Sequence, residues 1–342
     1  MDLLPTAEQQ SIADTAADFL RNEMSTALIR GGRGEAACVP ALAWKEGATL
    51  GLLGLSLPEK YGGAGAGLVE EALVFREVGR IPAPGPFLSC VLGARLAAAA
   101  GDSDLAVSIV GGDTQVGLGL PRPGTALEAN ALDGPLDLLD TPVPGHVLLI
   151  AEDGAGLVHT DALKDITPGE AIDPGVRISG AVAVNAPLTH YVPAEREALH
   201  VRAAVLTAAL LTGTAEAVRD ASVAHAKTRE QFGRPIGVYQ AIKHRCADMA
   251  VRAEAAMAQT FFAATAVEEG RPDAELQARS ALIVAARAAR LGAADNVQIH
   301  GGIGYTFEAD AHLYVKRTEV WSHVLGDRAD HLDRLLRLPE AV

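Results

Sequence analysis

Cysteine is scarce in this 342-residue chain, and the three present, Cys38, Cys90 and Cys246, are far apart and odd in number. No C-x-x-C and no histidine at ligand spacing accompanies them, which argues against a disulfide framework, a redox dithiol or a metal site. All three are expected to be reduced thiols. Aromatic residues make up only 4 %, so the core has to be built from alanine and aliphatic side chains, a composition that favours packed helices. Positive charge is short as well: 29 Lys and Arg stand against 43 Asp and Glu, for a formal charge of −14. A surface of that sign repels phosphate backbones and anionic headgroups, so neither nucleic acid nor membrane is an expected partner. An anionic ligand would need a local basic patch. The longest apolar run, residues 203–211, falls well below the ~20 residues that cross a bilayer. The opening M-D-L-L-P-T-A-E-Q-Q has neither a basic region nor a long apolar stretch, so no signal peptide and a cytoplasmic location are expected.

With 49 % hydrophobic residues the chain can bury a sizeable core, and its length suggests two or three domains. Residues 1–104 read as helical. Thr6 ahead of Ala7, Glu8 and Gln9 fits a capping box, and Ile12, Ala16, Phe19 and Leu20 recur at helical spacing. Further helices are predicted over residues 69–78 and 86–100, separated by the breaker run Ile81-Pro82-Ala83-Pro84-Gly85, with a loop at Tyr61-Gly62-Gly63-Ala64-Gly65. From about residue 101 short apolar runs, 116–120, 146–151 and 181–184, are divided by Pro, Gly and Asp, which predicts a small β domain over residues 105–198. Residues 199–342 return to helical periodicity in segments 203–229, 240–269, 273–300 and 310–337, enough for a four-helix bundle. Segments 203–217 and 281–294 are apolar on more than one face and suggest burial beyond the chain's own core.

Two strings stand out. Residues 227–244 read K-T-R-E-Q-F-G-R-P-I-G-V-Y-Q-A-I-K-H, and residues 298–305 read Q-I-H-G-G-I-G-Y. Taken alone, the first is compatible with a helix end capped by Gly233 and stopped by Pro235, and the second with a glycine-rich turn between helices. Together they resemble the flavin-binding segments of acyl-CoA dehydrogenases. L-P-E-K-Y-G-G-A-G at 57–65 and R-E-V-G-R at 76–80 resemble N-terminal segments of the same family, and the order of helices, β domain and helices resembles its architecture over nearly the whole chain. The resemblance implies a mainly α fold with a helical N-terminal domain, a middle β-barrel-like domain and a C-terminal four-helix bundle. It implies FAD as cofactor, lying across a subunit interface. Arg229, Gln231 and Phe232, with Ile236, Tyr239 and Gln240, would meet the pyrophosphate and adenosine half of a flavin bound by the neighbouring subunit; Gln298, Gly301 and Gly302 would meet its adenine, ribose and phosphate. The residue types suit those roles: a guanidinium forks onto phosphate oxygens, amides pair with base edges, and glycine admits close backbone approach.

The departures from the family matter as much. Its chemistry takes the substrate α-proton onto a carboxylate while the β-hydride passes to the flavin. Where most members carry that glutamate, Gly326 aligned with the family glycine leaves Leu325; where others carry it, this chain has Ala203, followed by Ala204 in place of an arginine. The flavin-ring loop is replaced by Gly117-Leu118-Gly119-Leu120-Pro121-Arg122-Pro123-Gly124, with no hydroxyl before Thr125. No residue is therefore assigned as catalytic, and none as a metal ligand. Of the histidines, His244 and His300 read as structural, and His323 alone is retained as a functional candidate. The pattern resembles the short subunits of heteromeric α2β2 acyl-CoA dehydrogenases of steroid side-chain breakdown. That implies a longer base-bearing partner subunit, an acyl-CoA substrate and an electron-transferring flavoprotein as acceptor. Two alternatives stay open: a stand-alone or homo-oligomeric flavoenzyme whose base is Asp327, Glu319 or Glu308, and a non-catalytic or non-redox scaffold of the same fold.

Overall fold

The computed structural model describes residues 4–32 and 39–338; Cys38 lies outside them. In chain order come α1 (Ala7–Glu23), α2 (Thr26–Gly32), α3 (Ala41–Thr49), α4 (Leu68–Arg80), α5 (Phe87–Ala100) and α6 (Ser103–Val110). The strands follow: β1 (Val116–Pro121), β2 (Ala126–Leu127), β3 (Ala131–Leu139), β4 (His146–Ile150), β5 (Gly154–His159), β6 (Leu163–Gly169) and β7 (Ile178–Pro193). Next are α7 (Leu199–Thr228), the short strands β8 (Glu230–Gln231) and β9 (Arg234–Pro235), then α8 (Gln240–Glu268), α9 (Ala274–His300), α10 (Ala311–Trp321) and α11 (Arg328–Leu335). Contacts divide the chain into one unit of Met1–Arg30, Ala72–Ala83 and Ala204–Val342, and another of Gly31–Glu71 and Pro84–Ala203. Helices α4 and α7 begin in the second unit and end in the first.

The second unit holds strands β1 to β7. Gly101, at φ 91, stops α5, and the chain then forms one more helix before the sheet: the Asp102 side chain accepts from the Leu105 N–H and caps α6. The β texture expected from residue 101 thus starts later, because an aspartate cap with Asp104 in the first turn outweighs the local breakers. The sheet runs β2-β3-β1-β4-β5-β7-β6, and an additional β3–β7 pairing closes the five strands β3, β1, β4, β5 and β7 into a ring. Every pair is antiparallel except β1–β4. The 16-residue β7 serves three partners by bending at register shifts on each ladder. Leu132, Leu136, Leu138, Val147, Leu149 and Val158 fill the interior. The barrel-like middle domain is borne out.

The first unit holds the N-terminal helix and the bundle. The predicted capping box is present: the Gln9 N–H donates to Thr6 Oγ1 and the Thr6 N–H to Gln9 Oε1. The C-terminal parts of α4 and α7 cross backbone to backbone. A Cβ on Gly79 would lie 1.8 Å from the Leu210 carbonyl oxygen, and one on Gly213 would lie 1.8 Å from that of Arg76. Arg76 and Arg80 close the crossing by pairing with the buried Glu216 at 2.7 and 2.9 Å. R-E-V-G-R is therefore a packing motif in this fold. Helix α7 is long and apolar enough to cross a bilayer, yet 94 % of its apolar window is buried inside the chain. The second apolar face read from residues 203–217 thus needs no other subunit to cover it. The segment 310–337 is two helices rather than one: Gly326 at φ 110 breaks it, and Asp327 restarts it as the cap of α11.

Candidate functional site

Helix α7 ends at Thr228, whose hydroxyl turns back to the Ala224 carbonyl at 3.1 Å. The next residues form a hairpin instead of a simple helix stop. Gln231 faces Arg234 across β8 and β9, and the Ile236 N–H closes the base on the Arg229 carbonyl at 2.8 Å. Its two turn residues, Phe232 (φ 54) and Gly233 (φ 77), are both left-handed, as a tight primed hairpin turn requires. Gly233 therefore serves the turn and not the helix cap. Glycine adopts this backbone freely; an aromatic residue does so at a cost of roughly 1–2 kcal/mol, and Phe232 recovers nothing by burial, being 92 % exposed.

Tyr239 braces the hairpin from beneath. Its ring meets Phe232 edge-on at 6.4 Å and lies 4.9 Å under the Arg234 guanidinium, while its hydroxyl donates to the Gln231 carbonyl at 3.3 Å. The Gln231 amide donates to the Glu230 carbonyl. Ile236 is half-buried against the cluster of Val218, Met249, Ala293 and Ile299, and Arg229 and Gln240 are exposed. Over residues 227–245 the basic side chains Lys227, Arg229, Arg234 and Lys243 stand against one acidic residue, Glu230, while Arg245 is paired with Asp295 of α9 at 2.5 Å. This is the local basic patch that a chain of −14 needs in order to hold an anion.

The second motif lies at the end of α9. Gly301, at φ 65, ends the helix into a turn of Gly301–Tyr305, and a Cβ at Gly301 or Gly302 would meet nothing within 4 Å, so the backbone there is open. Gln298 is exposed on the last helical turn. The structure joins the two motifs through a residue that the sequence did not single out: His225, one turn before Arg229, stacks on His300 with ring centroids 4.2 Å apart and planes 23° apart. His300 Nδ1 is 2.8 Å from the Asn296 carbonyl, which can only accept, so Nδ1 carries the proton. The buried Asn296 side chain accepts in turn from Ser222 on α7. Cations, an exposed aromatic ring, amides and a glycine-opened backbone thus share one end of the bundle, and this donor set fits the adenosine pyrophosphate half of FAD.

Two of the three carboxylates considered as bases are otherwise engaged. Asp327 accepts from the Asp330 N–H at 2.8 Å as the α11 cap, and backbone hydrogen bonds hold its carboxyl below the usual range. Glu319 pairs with Arg290 at 3.0 Å, and Glu308 is exposed in the turn after the glycines. His323 uses Nδ1 on the Glu319 carbonyl at 2.7 Å. Leu325 and Ala203 have no proton to exchange. Beside Ala203, the buried Arg202 donates to Glu71 at 2.6 Å and to Ser56 at 3.2 Å, and Ser56 donates to the other Glu71 oxygen at 2.7 Å. Glu71 is thereby committed to structure.

A groove among α9, α10 and α11 was also not read from the sequence. Its volume is about 540 Å³, with Leu282 and Ile283 among its apolar walls and Arg287, Arg290 and Arg328 contributing charge. His331 lines it at 4 % exposure, with neither ring nitrogen hydrogen-bonded. Burial, then Arg279 and Arg334, push its pKa down. The second apolar face of residues 281–294 contributes Ala286, Leu291 and Ala294 to this groove. Arg287 and Arg290, three apart on α9, were the available signal.

Residues 6–105 match the family described as acyl-CoA dehydrogenase, N-terminal domain, and residues 196–337 match acyl-CoA dehydrogenase, C-terminal domain. Acyl-CoA dehydrogenase FadE34 of Mycobacterium tuberculosis is 34 % identical over 305 residues, 86 % of this chain, which spans only 41 % of that longer protein. Acyl-CoA dehydrogenase IpdE2 of the same organism is 30 % identical over 338 residues, 97 % of this chain and 98 % of that protein. Among solved structures, a Tcur3481-Tcur3483 steroid ACAD variant superposes with a TM-score of 0.85 at 25 % identity, covering 96 % of each chain. The ChsE4-ChsE5 complex from Mycobacterium tuberculosis shares the fold, with a TM-score of 0.88 at 23 % identity over 99 % of this chain and 100 % of that one. FAD is the cofactor of these dehydrogenases. On the family matches and the full-length similarity to IpdE2, this chain belongs to the acyl-CoA dehydrogenase family.

Proposed function

We propose that this chain is the short subunit of a heteromeric, FAD-dependent acyl-CoA dehydrogenase, with domains over residues 1–104, 105–198 and 199–342. Its part is to supply the adenosine-side cradle, Arg229, Gln231, Phe232, Ile236, Tyr239, Gln240, Gln298, Gly301 and Gly302, to a flavin whose ring is held by a longer partner. When bound, FAD supplies hydride acceptance for α,β-desaturation of an acyl-CoA. Arg229 binds the pyrophosphate, Phe232 presents an aromatic face, and the open glycine backbone gives the adenosine room to approach. The proton is taken by the partner, and electrons leave through an electron-transferring flavoprotein. The carrying observation is the contrast between the two halves of the site: a solvent-facing, strained cradle with a basic field is present, while Leu325 and Ala203 stand at the base positions, Asp327 caps α11, Glu319 is paired and Glu308 lies exposed in the turn after the glycines. The steroid ACAD named above supports a ring-bearing acyl group on the substrate.

The test is flavin absorbance and complex mass, measured on the chain alone and after co-expression with a longer homologue. A colourless chain that becomes a yellow unlike pair, carrying half the flavin per subunit of a homo-oligomer, is expected. Stoichiometric FAD and acceptor reduction by the chain alone would sink the proposal in favour of a self-sufficient enzyme. A colourless homo-oligomer that ignores every such partner would favour a scaffold.

A further inference from the structure

The two motif segments are separated by about seventy residues of sequence (Arg229 to Gln298), and the His225–His300 stack is a direct side-chain bridge between the helices that carry them. Its geometry tolerates little charge. The rings overlap at 4.2 Å and are nearly parallel, a separation at which two imidazolium ions repel strongly. Among the described residues, the charged and titratable groups acting on His225 are Arg229 from the hairpin base and His300 from α9, with no carboxylate among them. Burial comes first, and His300 and Arg229 add to it, in moving the His225 pKa below its ordinary 6.5. On the α9 side, the Asn296 carbonyl already takes the His300 Nδ1 proton, so it cannot compensate a new charge on His225.

We propose that His225 is a positioning residue: as a neutral ring stacked on His300 it holds the Arg229 hairpin in register with the Gly301–Gly302 turn, and its protonation separates the two halves of the cradle. The ligand consequence rests on the functional reading above; the clamp itself does not. A proton entering at His225 sets a cation in a half-buried site beside Arg229, and the available relief is for the charged ring to leave the stack for water. The cradle is then closed at neutral pH and open in mild acid.

Hydrogen exchange read by mass spectrometry, corrected for intrinsic rates, tests the clamp on the full chain without flavin. Between about pH 7.5 and about pH 5.5, protection of the segments 229–238 and 298–305 should fall by about tenfold or more, the change one proton brings per unit pH. His225→Phe, which keeps a stacking ring and cannot protonate, should hold both segments protected at both pH values. His225→Ala should lose protection at both, and His225→Tyr, likewise a stacking ring that gains no proton in this range, repeats the Phe result should the first variant fold poorly. Equal protection of the wild type at the two pH values, or an acid loss in His225→Phe as large as in the wild type, would overturn the clamp. Flavin retention by the co-expressed complex is measured separately over the same range. Acid release in the wild type that His225→Phe prevents supports the link to the cradle. Release that is identical in both overturns that link, and a complex without flavin at any pH refutes the functional reading while leaving the clamp intact.

Discussion

Phe232 carries the sharpest conflict between folding and use. An aromatic ring in the left-handed region, 92 % exposed, opposes both backbone preference and the hydrophobic effect. Among the described residues its ring neighbour is Tyr239, edge-on at 6.4 Å, a geometry that offsets part of the strain and leaves the ring in solvent. Such a residue persists where something outside the chain uses it. Phe232→Asn, which accepts the same backbone, should leave stability unchanged or raise it by about 1 kcal/mol, while flavin retention by the co-expressed complex falls. Denaturant midpoints and the flavin-to-protein absorbance ratio measure the two effects. A variant that loses stability and keeps its flavin would mean that Phe232 serves the hairpin alone.

Helix α7 is held by contacts that tolerate no added atom. At its crossing with α4, Gly213 meets the Arg76 carbonyl and Gly79 meets the Leu210 carbonyl, so a methyl on either forces the backbones apart. Gly213→Ala should cost about 3 kcal/mol or more, seen as a drop in thermal midpoint. Near its start, Arg202→Met should cost a comparable amount, about 3–5 kcal/mol, because the buried Glu71 loses its cation; Arg202→Met combined with Glu71→Gln should recover part of it. Much of this level was legible in the sequence. The cap at Thr6, the long bundle helices and the breaker run before α5 follow from local rules that act within a few residues, and each is where the pattern puts it. What could not be read depends on partners distant in sequence or on single backbone angles. Helix α6 hung on one aspartate cap, and the break between α10 and α11 on Gly326 and Asp327. The hairpin after Thr228 shares its Gly and Pro with an ordinary helix stop, and only the positive φ of Phe232 separates the two. The His225–His300 stack joins positions that no periodicity relates.

For the molecule as a whole, charge and burial together set how it responds to acid. His146, His225, His312 and His331 all have pKa values lowered, first by burial, from an ordinary 6.5. Each binds a proton less readily folded than unfolded, so the stability tied to it is fully present above pH 6.5 and drains away as pH falls below that value. Asp102, Asp273 and Asp327 are lowered from 3.8, Asp273 to about 2, by hydrogen bonds to their charged forms. Their stabilisation is present above pH 3.8 and is lost in stronger acid. Glu77, raised by burial, works in the opposite sense and is relieved by protonation. The thermal midpoint should therefore be level above about pH 7, fall through the histidine window, and fall again below about pH 4. His331 offers the test of the first limb. Its ring is buried with neither nitrogen hydrogen-bonded, so His331→Leu removes both an unsatisfied polar group and a proton acceptor that the folded state rejects. The variant should gain about 1–2 kcal/mol at neutral pH and show a shallower decline between about pH 6.5 and pH 5. Midpoint curves for the two proteins that run parallel through that interval would remove His331 from the acid response and leave the first limb to the other three histidines.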